Sequence, residues 1–441
     1  MAQPSPIPLV RPMTIRFWLF LVVCAACATA AEPSFTITQT TTSGVYRIND
    51  TVTWTIVAHY LPALPADAIT YQVQRNGLTA IATGTLDLTS GSASITASLD
   101  SPGTLLTTVT ATVPGATKAL KILAGAAFEP DKISASSPKP DDFDAFWTAK
   151  LALLATIPMN PVIESFLSDN PAVDYWHLNM DNINGRHIRG QLARPKKGEK
   201  FPAMLIVQWA GVYPLQKPWV IGPASQGWLT LNISAHDQPL QEPELFYQEL
   251  AGAALKNYAA IGNDDRETSY FLRMFLACSR AVDYLAQRPD WDGTTLLVTG
   301  GSQGGLQSFA AAGLNPKVTA VIVDVPAGCD NTALLADRAI GWPYWVNNAK
   351  DEKRLAASRY FDAVNFATLV TCPALIAAGL LDTTARPTGI CAAANNLSGI
   401  KEMIILPNAA HQGDHAPFAA RAALWKTALM KGQPVPPAAT P

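Results

Sequence analysis

The strongest chemical signal in the chain is the run Gly300-Gly301-Ser302-Gln303-Gly304, a G-x-S-x-G pattern. It follows the apolar stretch Leu296-Leu297-Val298-Thr299 and opens into a small-residue, helix-compatible segment at 306–312 that ends at Gly313. A serine on a sharp strand-to-helix turn sits in a strained backbone conformation with its hydroxyl lifted clear of the sheet. Gly300 and Gly304 are required there because side chains would collide with the neighbouring strand or helix. The next backbone N–H, that of Gln303, is aimed where a substrate carbonyl oxygen becomes negative. Such a turn serves acyl transfer through Ser302. The hydroxyl needs a base, and histidine, with an ordinary pKa of about 6.5, suits that task near neutral pH. The candidates are His59, His177, His187, His236, His411 and His415.

The elements that must position these groups follow from periodicity. Strand-like runs at 203–207, 228–234, 295–299, 320–325, 374–378 and 402–406 alternate with helical stretches such as 270–287. That alternation specifies a mostly parallel sheet covered by helices, and with the elbow at a strand end it reads as an α/β-hydrolase. Asp141 or Asp142 caps a helix whose Phe143, Phe146, Trp147 and Leu151 share one face.

Ahead of this lies a different kind of sequence, rich in Thr, Ala and Val. Val52, Trp54, Ile56 and Ala58 fall on one face of a strand, with Thr51, Thr53 and Thr55 on the other. Another strand ends in Asn76-Gly77, a hairpin signal, and further strands are expected at 79–83, 94–99 and 105–113. Together they predict a small immunoglobulin-like β-sandwich that carries no catalytic constellation.

The expected organisation is a signal peptide at 1–30, the sandwich at 31–125, a linker at 126–140 punctuated by Ser134, Ser136, Ser137, Pro138 and Pro140, the catalytic domain at 141–430, and a disordered proline-rich tail at 431–441. The signal is read from Arg11 and Arg16 ahead of the apolar run 17–23 and from Ala28-Thr29-Ala30. It predicts a secreted or periplasmic protein without stable membrane insertion. Cys24 and Cys27 leave with it; Cys278, Cys329, Cys372 and Cys391 remain, with buried free thiols the expectation at Cys329 and Cys372. A formal charge of −2 over 441 residues and no basic run argue against nucleic acid as a partner.

In an α/β-hydrolase the order along the chain is serine, acid, histidine, which leaves His411 and His415. His411 follows the strand 402–406 and the turn Pro407-Asn408-Ala409-Ala410, and is assigned as the base; His415 is read as an exposed helix-start residue. The acid should end an earlier strand, as Asp382 does after 374–381, whereas Asp324 and Asp330 come one strand too early. A second oxyanion donor beside Gln303 is expected from the loop Gln208-Trp209-Ala210-Gly211-Val212, with Val212 chosen and Gly211 the alternative. Trp209, Trp228, Trp342 and Trp345 are candidate sugar-stacking faces. His411 and His415 have H-x-x-x-H spacing but lack the glutamate of H-E-x-x-H, and no phosphate loop or dinucleotide fingerprint is present, so no metal or cofactor is expected.

With these residues in place, the chain resembles the acetyl xylan esterase / cephalosporin C deacetylase family of α/β-hydrolases over residues 141–429. Gly300-Gly301-Ser302-Gln303-Gly304-Gly305 is similar to the family's G-G-S-Q-G-G. The helix 270–286, Asp324-Val325-Pro326 with Cys329-Asp330, Tyr360-Phe361-Asp362, Asn365, Cys372-Pro373 and Gly379-Leu380-Leu381-Asp382 also resemble family segments. The resemblance implies Ser302 as nucleophile, Asp382 as acid, His411 as base and Gln303 as an oxyanion donor, and favours Val212 as the other. Four positions depart from it. Ala210-Gly211 replaces an H-G pair, Ser234-Ala235-His236-Asp237 stands in place of R-G-Q-G, Ala410-His411-Gln412 replaces G-H-E, and Arg386-Pro387 stands where two prolines are usual. The expectation is an exported serine carboxylesterase that removes acetyl groups from oligo- or polysaccharides. The competing expectations are a prolyl-oligopeptidase-like peptidase and a non-catalytic carbohydrate-binding protein.

Overall fold

Two blocks of alternating and continuous burial divide the chain. The computed structural model describes residues 33–61, 68–113 and 117–438. The expected signal peptide lies outside the described residues. The first block forms β1 (Ser34–Gln39), β2 (Val45–Tyr46), β3 (Val52–His59), β4 (Ile69–Arg75), β5 (Thr79–Thr85), β6 (Ser92–Ala97), β7 (Gly103–Ala111) and β8 (Leu120–Phe128). They make a three-stranded sheet, β1-β3-β6, and a five-stranded one, β2-β8-β7-β4-β5. One core joins them: Trp54 and Ile56 of β3 and Ile95 of β6 pack with Val73 of β4 and Leu105 and Val109 of β7. The threonines between the buried β3 residues stay at least partly exposed, as period-two alternation requires. Asn76 and Gly77 both have positive φ, 52° and 65°, the geometry of the two-residue turn joining β4 to β5. β1, β2 and β8 were not anticipated. β8 runs through 126–128, so the linker is shorter than expected.

That linker is not loose. The Asn395 amide donates to the Pro130 and Ile133 carbonyls at 2.8 and 2.9 Å, the Ser136 N–H donates to Asp330 at 2.9 Å, and Arg359 donates to the Pro138 carbonyl. These bonds fasten it to the second block.

The second block contains β9 (Val162–Phe166), β10 (Val173–Asp181), β11 (His187–Pro195), β12 (Phe201–Val207), β13 (Leu229–Ile233), β14 (Trp291–Gly301), β15 (Ala320–Asp324), β16 (Ala374–Gly379) and β17 (Lys401–Leu406). The sheet order is β17-β16-β15-β14-β12-β13-β11-β10-β9. The six strands expected from sequence are the parallel ones, and β13, β15 and β16 are buried almost throughout because helices cover both faces. β9, β10 and β11 extend the sheet in antiparallel fashion and were missed. β9 is largely exposed and β10 carries Asp174, His177 and Asn179 among its apolar residues, which hides their strand character.

The helix Tyr270–Gln287 is the main buried prop under the sheet, capped by the Ser269 hydroxyl accepting from the Phe271 N–H at 3.3 Å. The helix Phe143–Ala155 forms where expected, but the Asp142 side chain does not cap it. Its carboxylate accepts instead from the Tyr360 hydroxyl and from Arg266. At the chain end, expected to be disordered, Val435 packs on the core and Arg421 donates to the Pro436 and Pro437 carbonyls; residues 439–441 lie outside the described residues. All four cysteines of the second block are free, and Cys372, expected to be buried, is only partly so.

Phe275, fully buried, meets the rings of Trp147, Phe271, Phe361 and Phe366 at centroid distances of 5.3 to 6.1 Å. Phe275→Ala is expected to cost about 3–5 kcal/mol through lost burial and a cavity. Denaturant unfolding measures it; a loss under about 1 kcal/mol would contradict the role assigned to this cluster.

Candidate active site

β14 ends at Gly301 and the helix Gln303–Leu314 begins two residues later, leaving Ser302 alone in the turn. Its φ and ψ are 54° and −121°, a conformation that L-residues rarely adopt. Two tethers hold it: the Ser302 N–H donates to the Asp324 carbonyl, and the Ser302 carbonyl accepts from Ala327, each at 2.9 Å. A Cβ on Gly304 would lie 2.6 Å from the Val207 carbonyl oxygen, and one on Gly300 2.7 Å from the Gly304 backbone, so only glycine allows β12, β14 and the helix to meet here.

The structure brings Ser302, His411 and Asp382 into one relay. His411 Nε2 lies 2.9 Å from Ser302 Oγ, and His411 Nδ1 lies 2.7 Å from Asp382 Oδ2. Asp382 is buried, and its other oxygen accepts the Thr384 and Ala385 N–H groups at 2.7 and 2.8 Å. A carboxylate can only accept, so Nδ1 carries the proton and Nε2 presents its lone pair to the serine hydroxyl. This is the protonation pattern a general base needs.

Around the expected oxyanion loop the structure shows a network that sequence reasoning missed. The Tyr258 hydroxyl accepts from the Gly211 N–H at 3.3 Å and donates to the Gln303 side-chain oxygen. His236 is buried; its Nε2 donates to the Gly211 carbonyl at 3.0 Å and its Nδ1 accepts from the Tyr270 hydroxyl at 2.6 Å. Burial pushes the His236 pKa down to about 4, so the ring is neutral, as these bonds require. A trans peptide points its carbonyl and following N–H in opposite directions, so tying the Gly211 carbonyl to His236 turns the Val212 N–H away from that ring. Gln303, the first residue of its helix, has no helical carbonyl behind it to take its N–H. His236 could have been singled out only by the departure from R-G-Q-G, and Tyr258 left no signal.

His415 is not the exposed helix-start residue expected. Its Nδ1 donates to Asp324 at 2.9 Å and its Nε2 to the Ala410 carbonyl at 3.0 Å. Two acceptors require two N–H groups, hence an imidazolium. Burial opposes that charge, but the hydrogen bonds to Asp324 and Ala410 and the nearby carboxylates outweigh it and hold the pKa above its ordinary value. His415 thereby joins the turn carrying His411 to the residue whose carbonyl anchors Ser302. The two histidines engage different partners. Asp330 accepts from Ser136 and Arg338 away from the relay.

Of the candidate stacking faces, Trp228 and Trp345 are buried and Trp342 is partly buried against Phe271. Trp209 is 49% exposed, stacked on Tyr213 at 5.2 Å and packed edge-to-face with Trp219 at 5.0 Å.

A raised folded-state pKa means that the stabilisation from His415 is complete below the unfolded value of about 6.5 and is lost as pH rises through the raised one. His415→Gln is therefore expected to destabilise most near about pH 6 and less toward about pH 9. Denaturant unfolding at both values reads this; a penalty growing with pH would contradict it.

A family model described as acetyl xylan esterase (AXE1) matches residues 129–429. The acetyl esterase Axe7A of Xylanibacter ruminicola is 34% identical over 288 residues, covering 64% of this chain; the chain spans 65% of that relative's length. Two solved structures share the fold. One is an acetyl xylan esterase from Paenibacillus sp. R4, with TM-score 0.59 and 22% identity over 69% of this chain and 99% of that one. The other is acetyl xylan esterase 1 from Thermoanaerobacterium sp. JW/SL YS485, with TM-score 0.60 and 20% identity over 68% and 98%. The family match covers more than half of the chain and contains every residue of the relay, and this protein belongs to the acetyl xylan esterase family.

Proposed function

We propose that the protein is an exported serine carboxylesterase that removes acetyl groups from carbohydrate through an acyl-enzyme. The observation that carries this reading is the unbroken relay from Asp382 through His411 to Ser302. In the proposed reaction His411 Nε2 takes the Ser302 proton as Oγ attacks the acetyl carbonyl. The resulting oxyanion is held by the Gln303 and Val212 N–H groups, each such donor typically being worth about 3 kcal/mol in the transition state. Collapse breaks the ester bond, and the imidazolium returns its proton to the departing sugar oxygen. Water, deprotonated by His411, then releases acetate and restores Ser302. Asp382 keeps the ring in the productive tautomer and stabilises the imidazolium.

A carbohydrate substrate is supported by the family and by Trp209, a half-exposed aromatic ring in the loop 208–212 that is expected to supply the second oxyanion donor. Export is inferred from the residues before Ala31. Among the described residues no helix is long and apolar enough to cross a membrane. The two N-terminal sheets are read as an immunoglobulin-like sandwich.

Hydrolysis of p-nitrophenyl acetate and of acetylated xylan, wild type beside Ser302→Ala, tests the reading. The variant is expected to lose on the order of 10⁴-fold or more in kcat on both; retained turnover would overturn the serine mechanism, and activity on the small ester alone would reopen the substrate. Trp209→Ala should raise KM for an acetylated xylo-oligosaccharide about tenfold more than for p-nitrophenyl acetate, about 1.4 kcal/mol. Equal changes for the two substrates would remove the stacking role.

A further inference from the structure

We propose that the N-terminal sandwich positions Asp382 and the His411 turn, so that the site is completed by a module contributing no chemical group to it. The inference rests on the proposed roles of Asp382 and His411. β8 passes so close to the acid loop that a Cβ on Gly125 would lie 2.6 Å from the Leu380 Cβ and 2.7 Å from its carbonyl oxygen. Leu380 is buried and stands two residues before Asp382. The turn before β2 touches the same loop and the histidine turn together: a Cβ on Gly44 would lie 2.9 Å from both Leu380 Cδ1 and Pro407 Cβ. Pro407 opens the turn that delivers His411.

The hairpin turn Asn76-Gly77 holds the other side of the loop. The Asn76 carbonyl accepts the Ala339 N–H at 3.0 Å, and a Cβ on Gly77 would be 3.0 Å from Arg386 Nη1. Arg386 donates to the Ile340 carbonyl at 3.2 Å, and the Trp342 N–H donates to the Thr384 carbonyl at 2.7 Å. Thr384 in turn donates its own N–H to Asp382. The acid loop is therefore backed on both sides of Asp382, and Asp382 itself borders the seam lined by Asn76, Gly77, Thr104 and Leu106. The backing is backbone or Cβ at Leu380, atoms that do not yield cheaply, so the loop cannot shift without the sandwich shifting too. Misplacement of a reacting group by about 1 Å can cost on the order of 100-fold in rate.

The test uses the full chain and p-nitrophenyl acetate. Gly125→Ala overfills the contact and is expected to lower kcat about tenfold or more, with KM within about twofold and the circular dichroism of the folded protein retained. Ile95→Ala, in the sandwich core of β6, should lower the melting temperature while leaving kcat unchanged at a temperature where the protein is folded. Should Gly125→Ala not fold, Leu380→Ala, which empties the contact, should lower kcat several-fold at unchanged KM. Wild-type kcat in whichever contact variant folds, or an equal kcat loss in Ile95→Ala, would overturn the positioning role. A wild type that hydrolyses no ester would overturn the esterase reading and this inference with it.

Discussion

The backbone of Ser302 is the constraint on which the second block is organised. A non-glycine residue at φ 54° and ψ −121° costs on the order of 1–3 kcal/mol and persists only where its surroundings over-determine it. Here they do: the Ser302 N–H and carbonyl are both bonded outside the turn, and Gly304 lies against the end of β12 where no side chain fits. The parallel sheet supplies this rigidity because β12, β14 and β15 end side by side. Once the serine is fixed, the other groups must be brought to it. β16 delivers Asp382 and β17 delivers His411 from the neighbouring strand ends.

What holds those two loops is less uniform. Asp382 is oriented by local N–H donors, and the histidine turn is tied to Asp324 through His415. The Asp324 carbonyl anchors Ser302 while its carboxylate binds His415, so one residue couples the serine turn to the turn that carries His411. The loop 208–212 has its own brace in Tyr258, His236 and Tyr270. His236 works there as a neutral hydrogen-bonding group, which its burial enforces.

The relay was legible in the sequence because its groups sit at strand ends in a fixed chain order, a constraint that a single chain displays. The six parallel strands were legible for the same reason, as short apolar runs between helices. β9 to β11 were not, since polar residues interrupt their alternation, and the last three residues of β8 were read as linker. His415 was misjudged because its two partners, Asp324 and the Ala410 carbonyl, meet it only through the fold. Tyr258, far from the elbow in sequence, carries no motif at all. The seam between sandwich and acid loop was equally invisible: Gly125 looks like any strand glycine until Leu380 is placed against it.

In the proposed reaction the acetyl group passes through a covalent bond to Ser302. Rapid acid quench of the enzyme with an excess of an acetyl ester, followed by peptide mass mapping, reads out that bond. The expected result is a mass gain of one acetyl group on the peptide bearing Ser302, formed in the pre-steady-state burst and absent from Ser302→Ala. Turnover without any acetylated Ser302 peptide, under conditions where deacylation has been shown to limit the rate, would contradict it.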